Sequence, residues 1–190
     1  MTKPTTKGVT IWITGLPCSG KTTVADHVAD TLRAKGYPVE RLDGDVVRRD
    51  LTKDLGFSKQ DRDENLKRVT DIAKHKTDQG NIVLATFVSP YRDRRDKARA
   101  SIPSFFEVYA RCSLEVCKQR DVKGMYKLAL AGKLHGFTGV DDPYEEPLHP
   151  DLILDTDTET IEESAEKILN LLTAHGYLKN QEKKQKEGKK

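Results

Sequence analysis

The amino-acid sequence predicts an α/β fold in which a parallel β-sheet carries helices on both faces. Three observations support this prediction. Apolar runs alternate with segments of helical periodicity along the 190 residues. Residues 81–87, NIVLATF, form a continuous apolar run, typical of a strand buried on both faces. Residues 15–22, GLPCSGKT, follow the apolar run VTIWIT and fit G-x-x-x-x-G-K-[ST], a phosphate-binding loop between a strand and a helix.

The remaining elements follow the same alternation. Strands are predicted at residues 9–13, within 36–45, and at 81–87, 105–109 and 151–156. Helices are predicted at residues 22–34, 62–79, 91–101, 114–120 and 161–175. The sequence therefore predicts a P-loop NTPase-like domain over residues 1–178, with phosphate chemistry at the carboxyl ends of the strands.

One long segment, residues 121–149, interrupts this rhythm. It is weakly periodic and has five Gly or Pro residues from Gly124 to Pro143, together with lysines and the aromatic residues Tyr126 and Phe137. A stretch of this length with little periodicity inside a domain is usually functional or disordered. We therefore predict that it forms a mobile lid.

Composition excludes several classes of protein. No run approaches the ~20 apolar residues of a membrane span, and no apolar signal segment precedes the first strand. The sequence therefore predicts a cytoplasmic protein that contacts no membrane. Its three cysteines, Cys18, Cys112 and Cys117, do not form a disulfide framework. The last two are expected in the core, and no Cys/His metal spacing is present.

The positive net charge comes from the carboxyl terminus. Residues 179–190 contain six lysines and two glutamates, whereas the whole chain carries only +3. Such a polar run cannot form a core and is expected to be disordered. A nucleic-acid-binding arm is the alternative, but the rest of the chain has no basic stripe, so we expect no nucleic-acid partner.

The glycine-rich loop predicts the site of the phosphate donor. Backbone N–H groups from about Cys18 to Thr22 would point at phosphate oxygens at a helix N-terminus. Lys21 would reach the β- and γ-phosphates, and the Thr22 hydroxyl would bind Mg²⁺. The residues expected to contact the nucleotide are Gly15, Leu16, Pro17, Cys18, Ser19, Gly20, Lys21, Thr22 and Thr23. The sequence lacks the N-K-x-D motif of GTPases.

Two acidic residues follow the second predicted strand. Asp43 and Asp45, in the sequence DGD, suit Mg²⁺ binding, a catalytic base, or both, and they would replace the acidic residue missing from NIVLATF. For Asp43, a role in capping a turn is equally consistent with the sequence. Arginines then cluster at Arg48, Arg62 and Arg68, and indicate a pocket for an anion. Arg62 and Asn65 share one face of the predicted helix, whereas Arg68 lies near that face but off it.

Five longer segments resemble the adenylylsulfate kinase (APS kinase) family in order and spacing. They are LDGDVVR, GFSKQDRDENLKR, FVSPYRDRRDKAR, DVKGMYKLALAG and GFTGVDDPYE, and the resemblance covers about residues 8–178. It implies phosphorylation of the ribose 3′-hydroxyl of adenosine 5′-phosphosulfate by MgATP, giving 3′-phosphoadenosine 5′-phosphosulfate. It also implies a homodimer.

The resemblance assigns roles to matching positions. Asp45 would lie near the 3′-hydroxyl and Mg²⁺, and Arg120 would be one of the residues that bind ATP. Residues implied to contact the acceptor nucleotide are Asp45, Arg48, Phe57, Arg62, Asn65, Ser89, Lys123 and Phe137. Phe57 and Phe137 would stack on either face of the acceptor adenine, and Lys123 would begin the lid.

Ser89 has two interpretations. The family is described as using this serine for a phosphoserine intermediate, which would make Ser89 catalytic. Direct transfer needs no such intermediate, because positioning and electrostatics supply most of the catalysis. We therefore favour a hydrogen-bonding role for Ser89 near the acceptor.

The sequence departs from the family at two positions, and it leaves two other functions to consider. Leu128 and Leu130 stand where many relatives have Lys or Arg, so no basic contact is expected there. A kinase for another small metabolite, such as a sugar acid or nucleoside, would need neither the Phe57/Phe137 pair nor the sequence DRDEN. A non-catalytic nucleotide-binding protein would be expected to lack Lys21 or Asp45, and both are present.

Overall fold

The computed structural model describes residues 7–50, 53–56 and 59–179, with the side chains of Arg48 and Lys59 excepted. The strands are β1 (Val9–Thr14), β2 (Val39–Asp43), β3 (Ile82–Thr86), β4 (Phe105–Arg111) and β5 (Leu152–Asp155). The helices are α1 (Lys21–Ala34), α2 (Gly44–Asp50), α3 (Lys59–Asp78), α4 (Arg92–Ser101), α5 (Leu114–Arg120), α6 (Met125–Leu130) and α7 (Ile161–Ala174).

The five strands form one sheet in the order β2-β3-β1-β4-β5, and every pairing is parallel. The predicted fold class is therefore confirmed. From β1 the chain moves to one side of the sheet for β2 and β3, and then crosses to the other side for β4 and β5. The switch point lies at the carboxyl end of β1, where ligands bind in open α/β sheets and where the glycine-rich loop begins.

Both faces of the sheet are buried, as the apolar runs predict. Along β1, Val9, Ile11 and Ile13 pack with residues of α1 and α7, because successive side chains of a strand point to opposite faces. Trp12 faces the other layer, with residues of α3 and α4. Its indole stacks on Phe87 and Phe105, with ring centroids 5.3 and 5.9 Å away. The central strand is thereby fixed between two apolar layers.

Two short helices were not predicted. Helix α2 begins directly after β2, where the Asp43 carboxylate accepts a 3.0 Å hydrogen bond from the Asp45 backbone N–H. Helix α6 lies inside the segment predicted as a lid, and the Asp121 carboxylate accepts hydrogen bonds from the backbone N–H groups of Tyr126 and Lys127, each 3.0 Å long. Both helices depend on side-chain contacts near their first turn, and they are too short for a periodic pattern to reveal. Helix α3 also starts three residues earlier than predicted.

The cysteines are placed as the sequence predicts. Cys112 and Cys117 are buried, and all three cysteines are free thiols. Burial, together with the hydrogen bond to Cys112, raises the pKa of the Cys117 thiol to about 12. No helix among the described residues is long and apolar enough to cross a membrane. Residues 180–190 of the lysine-rich tail lie outside the described residues.

Candidate active site

A cavity of about 910 Å³ opens at the carboxyl edge of the sheet. Its walls come from the phosphate loop, the β2–α2 turn, α3, the β3–α4 turn, residues 120–138 and the start of α7. Because all five strands are parallel, the loops after β1, β2, β3 and β5 meet at this one edge. The sequence-predicted donor and acceptor residues therefore surround a common space.

The glycine-rich loop has the backbone of an anion cradle. Gly20 and Cys18 have φ angles of 83° and 62°, in the left-handed region. The Lys21 ammonium donates hydrogen bonds to the carbonyls of Gly15 and Leu16, at 2.9 and 2.6 Å. Burial lowers the pKa of Lys21 to about 8. Pro17, Cys18, Ser19 and Thr23 line the cavity, whereas Gly15 and Leu16 lie behind it and contact Lys21 instead.

Thr22 and Asp43 are joined across this edge. The Thr22 hydroxyl donates to Asp43 Oδ2 at 2.8 Å, and the Thr86 hydroxyl donates to the same oxygen at 2.9 Å. Burial acts to raise the pKa of Asp43, but these hydrogen bonds, the Asp45 N–H and the charge of Arg41 outweigh it, so the pKa lies below its usual value. Asp43 thus caps the turn, as one interpretation of the sequence predicts, and it also contacts Thr22, the expected Mg²⁺ ligand. A role of Asp43 in binding Mg²⁺ or as a base remains a prediction.

Asp45 lies at the mouth of the cavity and forms an ion pair with Lys123. Both side chains are more than half exposed, at 74% and 59%. The pair connects the β2–α2 turn to the segment predicted as a lid. Sequence reasoning selected both residues but gave no reason to place them in contact.

Helix α3 contributes Arg62 and Asn65 to the cavity wall. Arg62 donates to Asp142 Oδ2 at 3.0 Å and to the Thr138 hydroxyl at 3.1 Å. Arg68, which the sequence places off the face shared by Arg62 and Asn65, does not line the cavity. It pairs with Asp54 and Glu64 away from the cavity, because a residue six positions along a helix turns away from the face that positions i and i+3 share.

The aromatic pair is only partly described. Phe137 lines the cavity and packs edge-on against Tyr126, with ring centroids 4.9 Å apart. Phe57 lies outside the described residues, and so does the side chain of Arg48. Both assignments remain predictions.

Ser89 lies in the β3–α4 turn with a φ angle of 38°, in the left-handed region. Its hydroxyl accepts from Trp12 Nε1 and donates to Thr14 Oγ1, each over 3.1 Å. A non-glycine residue with a left-handed backbone conformation is strained, and it persists only where its surroundings hold it. In the described part of the chain, the Ser89 hydroxyl bonds with Trp12, Thr14 and the Phe87 carbonyl. None of these groups is a carboxylate or an imidazole, the usual bases that activate a serine.

The segment predicted as a lid contacts the phosphate loop. The Tyr126 hydroxyl donates to the Pro17 carbonyl at 3.1 Å. Arg120, at the start of this segment, donates to the Cys18 carbonyl at 3.5 Å and also to the Thr156 carbonyl. Arg120 and Lys123 both line the cavity.

Sequence reasoning missed one wall entirely. Cavity-lining residues from the end of β5 and the start of α7 are Thr156, Glu159, Thr160, Ile161 and Ser164. The signal was available, because the sequence DTDTET follows a predicted strand and so belongs at the same carboxyl edge. Asp63 and Arg94, which form an ion pair and also line the cavity, were not singled out either.

The parallel sheet, the lysine-bearing anion cradle and the acidic turn beside it define this chain as a P-loop kinase. Comparison with known proteins makes the assignment specific. The family profile of adenylylsulphate kinase matches residues 7–155, and the chain belongs to that family.

Two relatives match this chain over nearly their whole length, and a third is matched over part of its length. The adenylyl-sulfate kinase of Halothermothrix orenii is 55% identical over 172 residues, covering 90% of this chain and 93% of the relative. The APS kinase of Mycobacterium tuberculosis, solved in complex with AMPPNP and APS, superposes with a TM-score of 0.85 at 42% identity. The match covers 88% of this chain and 99% of that one. A hexameric APS kinase from Thiobacillus denitrificans gives a TM-score of 0.70 at 34% identity, covering 92% of this chain and 30% of that one.

Proposed function

We propose that this chain transfers the γ-phosphate of ATP to the ribose 3′-hydroxyl of adenosine 5′-phosphosulfate, giving 3′-phosphoadenosine 5′-phosphosulfate and ADP. The product is an activated sulfate donor. One observation carries the proposal: the phosphate loop and the acceptor residues matched to the family, including Arg62, Asn65 and Phe137, line one cavity. The M. tuberculosis relative, solved with an ATP analogue and APS together, supports the same pair of substrates.

The side of the cavity formed by the phosphate loop suits the triphosphate of ATP. Lys21 is held at the base of the cradle by two backbone carbonyls, and an incoming γ-phosphate would compete for its ammonium. Charge on the transferring group is then spread over Lys21 and the loop N–H groups, which are fixed before reaction and need little reorganisation.

The residues beside the cradle fit Mg²⁺. The hydroxyl of Thr22 and the carboxylates of Asp43 and Asp45 are oxygen donors, which this ion prefers. Among the described residues, no group of three or more His, Cys, Asp or Glu side chains could enclose a metal. That suits Mg²⁺, which is usually held by one or two protein oxygens together with substrate phosphates. Bound there, it would neutralise charge that develops between the β- and γ-phosphates.

Asp45 is the proposed base. Its carboxylate would orient or deprotonate the 3′-hydroxyl, whose oxygen attacks the γ-phosphorus as the bond to the β-phosphate oxygen breaks and ADP leaves. The proton passes to Asp45 and then to solvent. Lys123 pairs with Asp45, and in this proposal it would contact the acceptor and keep the carboxylate near the reaction.

Water exclusion falls to residues 121–149. Closure of the part of this segment that precedes Asp142 over both nucleotides would prevent hydrolysis of ATP. The contact from Tyr126 to Pro17 places some of that part against the phosphate loop. Ser89 supports the acceptor side through hydrogen bonds, without forming a covalent intermediate.

The test is ADP release from MgATP with adenosine 5′-phosphosulfate, with AMP and adenosine as controls. We expect turnover with the phosphosulfate alone, because the arginines would bind its sulfate–phosphate end. If protein that binds ATP turned over none of the three, the assignment would fail, and turnover of a sugar acid or nucleoside would favour the alternative kinase. Omission of Mg²⁺ should abolish turnover.

We also propose a homodimer in the cytoplasm. The family resemblance supports the dimer, whereas the T. denitrificans relative is hexameric, so light scattering on the purified chain decides between these states. Free thiols at all three cysteines and the use of ATP both suit a reducing cytoplasm.

A further inference from the structure

Asp142 connects three separate parts of the cavity wall. Its Oδ2 accepts a hydrogen bond from Arg62 of α3 at 3.0 Å, and its Oδ1 accepts one from the Tyr91 hydroxyl at 2.9 Å. The Thr138 hydroxyl donates to Oδ2 at 3.3 Å. Asp142 and Arg62 are mostly buried, with side-chain exposures of 18% and 15%. A partly buried charged pair of this kind is screened less than an exposed one.

Arg62 contacts the lid-predicted segment on both sides of Phe137. One nitrogen donates to the Gly136 carbonyl, and the other donates to Thr138 and Asp142. Planar guanidinium groups fix the direction of their hydrogen bonds. The position of the Phe137 ring is therefore tied to helix α3 through Arg62.

The chain after Asp142 is itself anchored, so Asp142 is a fixed point. Tyr144 lies 3.0 Å from the Thr14 hydroxyl and stacks on Tyr109. The Glu145 carboxylate accepts from the Arg92 backbone N–H at 2.8 Å. Although residues 142–145 belong to the segment predicted as a mobile lid, they are bound to β1 and to the start of α4.

Arg95 also holds the chain that follows Asp142, through the Glu145 carbonyl. Its guanidinium is buried, pairs with Glu107 at 2.6 Å, and donates to the carbonyls of Ser89 and Glu145 at 2.7 and 2.6 Å. One buried cation thus joins the Ser89 turn to the chain that follows Asp142. The acceptor side of the cavity is held together by buried polar contacts rather than by apolar packing alone.

We propose that Asp142 is a positioning residue for the acceptor, which holds Arg62 and residues 136–138 in one arrangement from the anchored chain behind it. This inference rests on the proposed function, since Arg62 is there an acceptor contact. Asp142 acts through Arg62 and does not itself touch the acceptor. Its loss should therefore affect acceptor binding far more than ATP binding.

The kinetic test is a double-mutant cycle in the full chain with Asp142→Ala and Arg62→Ala. We expect Asp142→Ala to raise the KM for adenosine 5′-phosphosulfate about tenfold or more, and to change the KM for ATP less than about twofold. In the Arg62→Ala background, Asp142→Ala should add less than about twofold, because residues that act as a unit are not additive. The proposal would be overturned if the effects of the two substitutions on the acceptor KM multiplied in the double variant. It would also be overturned if Asp142→Ala left the acceptor KM unchanged.

A conservative variant and a control separate positioning from general stability. Asp142→Asn keeps one oxygen, which can still accept from Arg62 and Thr138, and its NH₂ group can donate to the Tyr91 hydroxyl. This variant should restore part of the acceptor affinity. Asp151→Ala removes a carboxylate from the same stretch of chain that pairs with Arg99 instead. That control should leave the ratio of the two KM values unchanged. If it alters the ratio as strongly as Asp142→Ala does, the effect is not specific to Arg62.

A second measurement needs no substrate. Limited trypsin digestion reports exposure of the chain at Lys133, which lies between α6 and the residues held by Arg62. Asp142→Ala and Arg62→Ala should each accelerate this cleavage, and the double variant should be cut no faster than either. Equal cleavage rates in all four proteins would contradict the proposed arrangement. If the kinase assay alone failed, and both single variants were still cleaved faster than the unchanged chain, the proposed function would be wrong and the arrangement would stand.

Discussion

The Thr22 hydroxyl donates a 2.8 Å hydrogen bond to the Asp43 carboxylate, across the gap between the phosphate loop and the end of β2. The two residues are 21 positions apart in the sequence. Their contact joins a hydroxyl expected to bind Mg²⁺ to an acid that orients it. Groups that orient a metal ligand in this way tune both metal affinity and activity.

Asp43→Asn should weaken the response to Mg²⁺. Loss of the carboxylate leaves the Thr22 hydroxyl without its charged acceptor, and we expect activity at limiting Mg²⁺ to fall by about 10- to 100-fold. Steady-state rates over a range of Mg²⁺ concentrations measure this. Asp30→Asn, an exposed change on α1, is the matched control and should keep the normal response. An unaltered Mg²⁺ dependence in Asp43→Asn would contradict the assignment.

Asp43 should also contribute to stability in a pH-dependent way. Its pKa is lower in the folded chain than in the unfolded chain, so the folded state favours the ionised form. The contribution is therefore present above the unfolded pKa of about 3.9 and is lost as pH falls through the folded pKa. Urea unfolding between pH 6 and pH 3 should show that the free energy of unfolding falls less with decreasing pH in Asp43→Asn than in the unchanged chain. Parallel curves would refute this.

Nucleotide binding should weaken at alkaline pH. Burial lowers the pKa of Lys21 to about 8, so the free protein loses the charge of Lys21 as pH rises through that value. Because phosphate favours the charged form, affinity for MgATP should be nearly constant below pH 8 and fall by at most about tenfold per pH unit above it. Equilibrium dialysis measures the affinity. Lys21→Met should bind weakly at every pH, and a flat profile in the unchanged chain would count against this role.

Ser89→Ala should retain catalysis. Direct transfer needs no serine nucleophile, and the hydroxyl is hydrogen-bonded to Trp12 and Thr14. We expect a stability loss of about 1 kcal/mol from the lost hydrogen bonds, with kcat reduced by less than about tenfold. Single-turnover assays and thermal unfolding measure the two effects. Complete loss of transfer in a folded Ser89→Ala protein would instead support a phosphoserine intermediate.

Gly15→Ala should destabilise the phosphate loop. A methyl group there would lie 2.5 Å from the Ala110 carbonyl oxygen and 2.7 Å from Ser19 Oγ, too close for either contact. Overpacking of this kind costs about 1–3 kcal/mol. Gly36→Ala is the matched control, since Gly36 also has a positive φ but no atom within 4 Å of the added methyl group. Equal losses of unfolding free energy in both variants would show that only backbone strain matters.

Much of the site could be predicted from short-range pattern. The eight residues GLPCSGKT predicted the cradle, and the pair Asp43 and Asp45 predicted an acidic turn beside it. Both predictions depend on local backbone geometry, which neighbouring residues specify. Helical spacing likewise separates Arg62 and Asn65, which line the cavity, from Arg68, which does not.

Contacts between distant segments could not be predicted in this way. Nothing in the sequence spacing indicates that Lys123 pairs with Asp45, or that Asp142 accepts hydrogen bonds from both Arg62 and Tyr91. Such contacts depend on how residues 121–149 fold back over the sheet. Weak periodicity identified that segment as unusual but carried no information about its partners.

Periodicity and motifs of a few residues are enough to specify the alternation of strands and helices, the phosphate cradle and the family. The side chains that meet at the carboxyl edge are specified only by how the chain folds in three dimensions. Parallel strands bring loops from across the whole chain to that edge, and burial there selects the hydrogen bonds and ion pairs that form. Asp142 is the clearest case: an ordinary acidic residue in the sequence GVDDPYE, it becomes the point where a helix, a turn and the lid-predicted segment are joined.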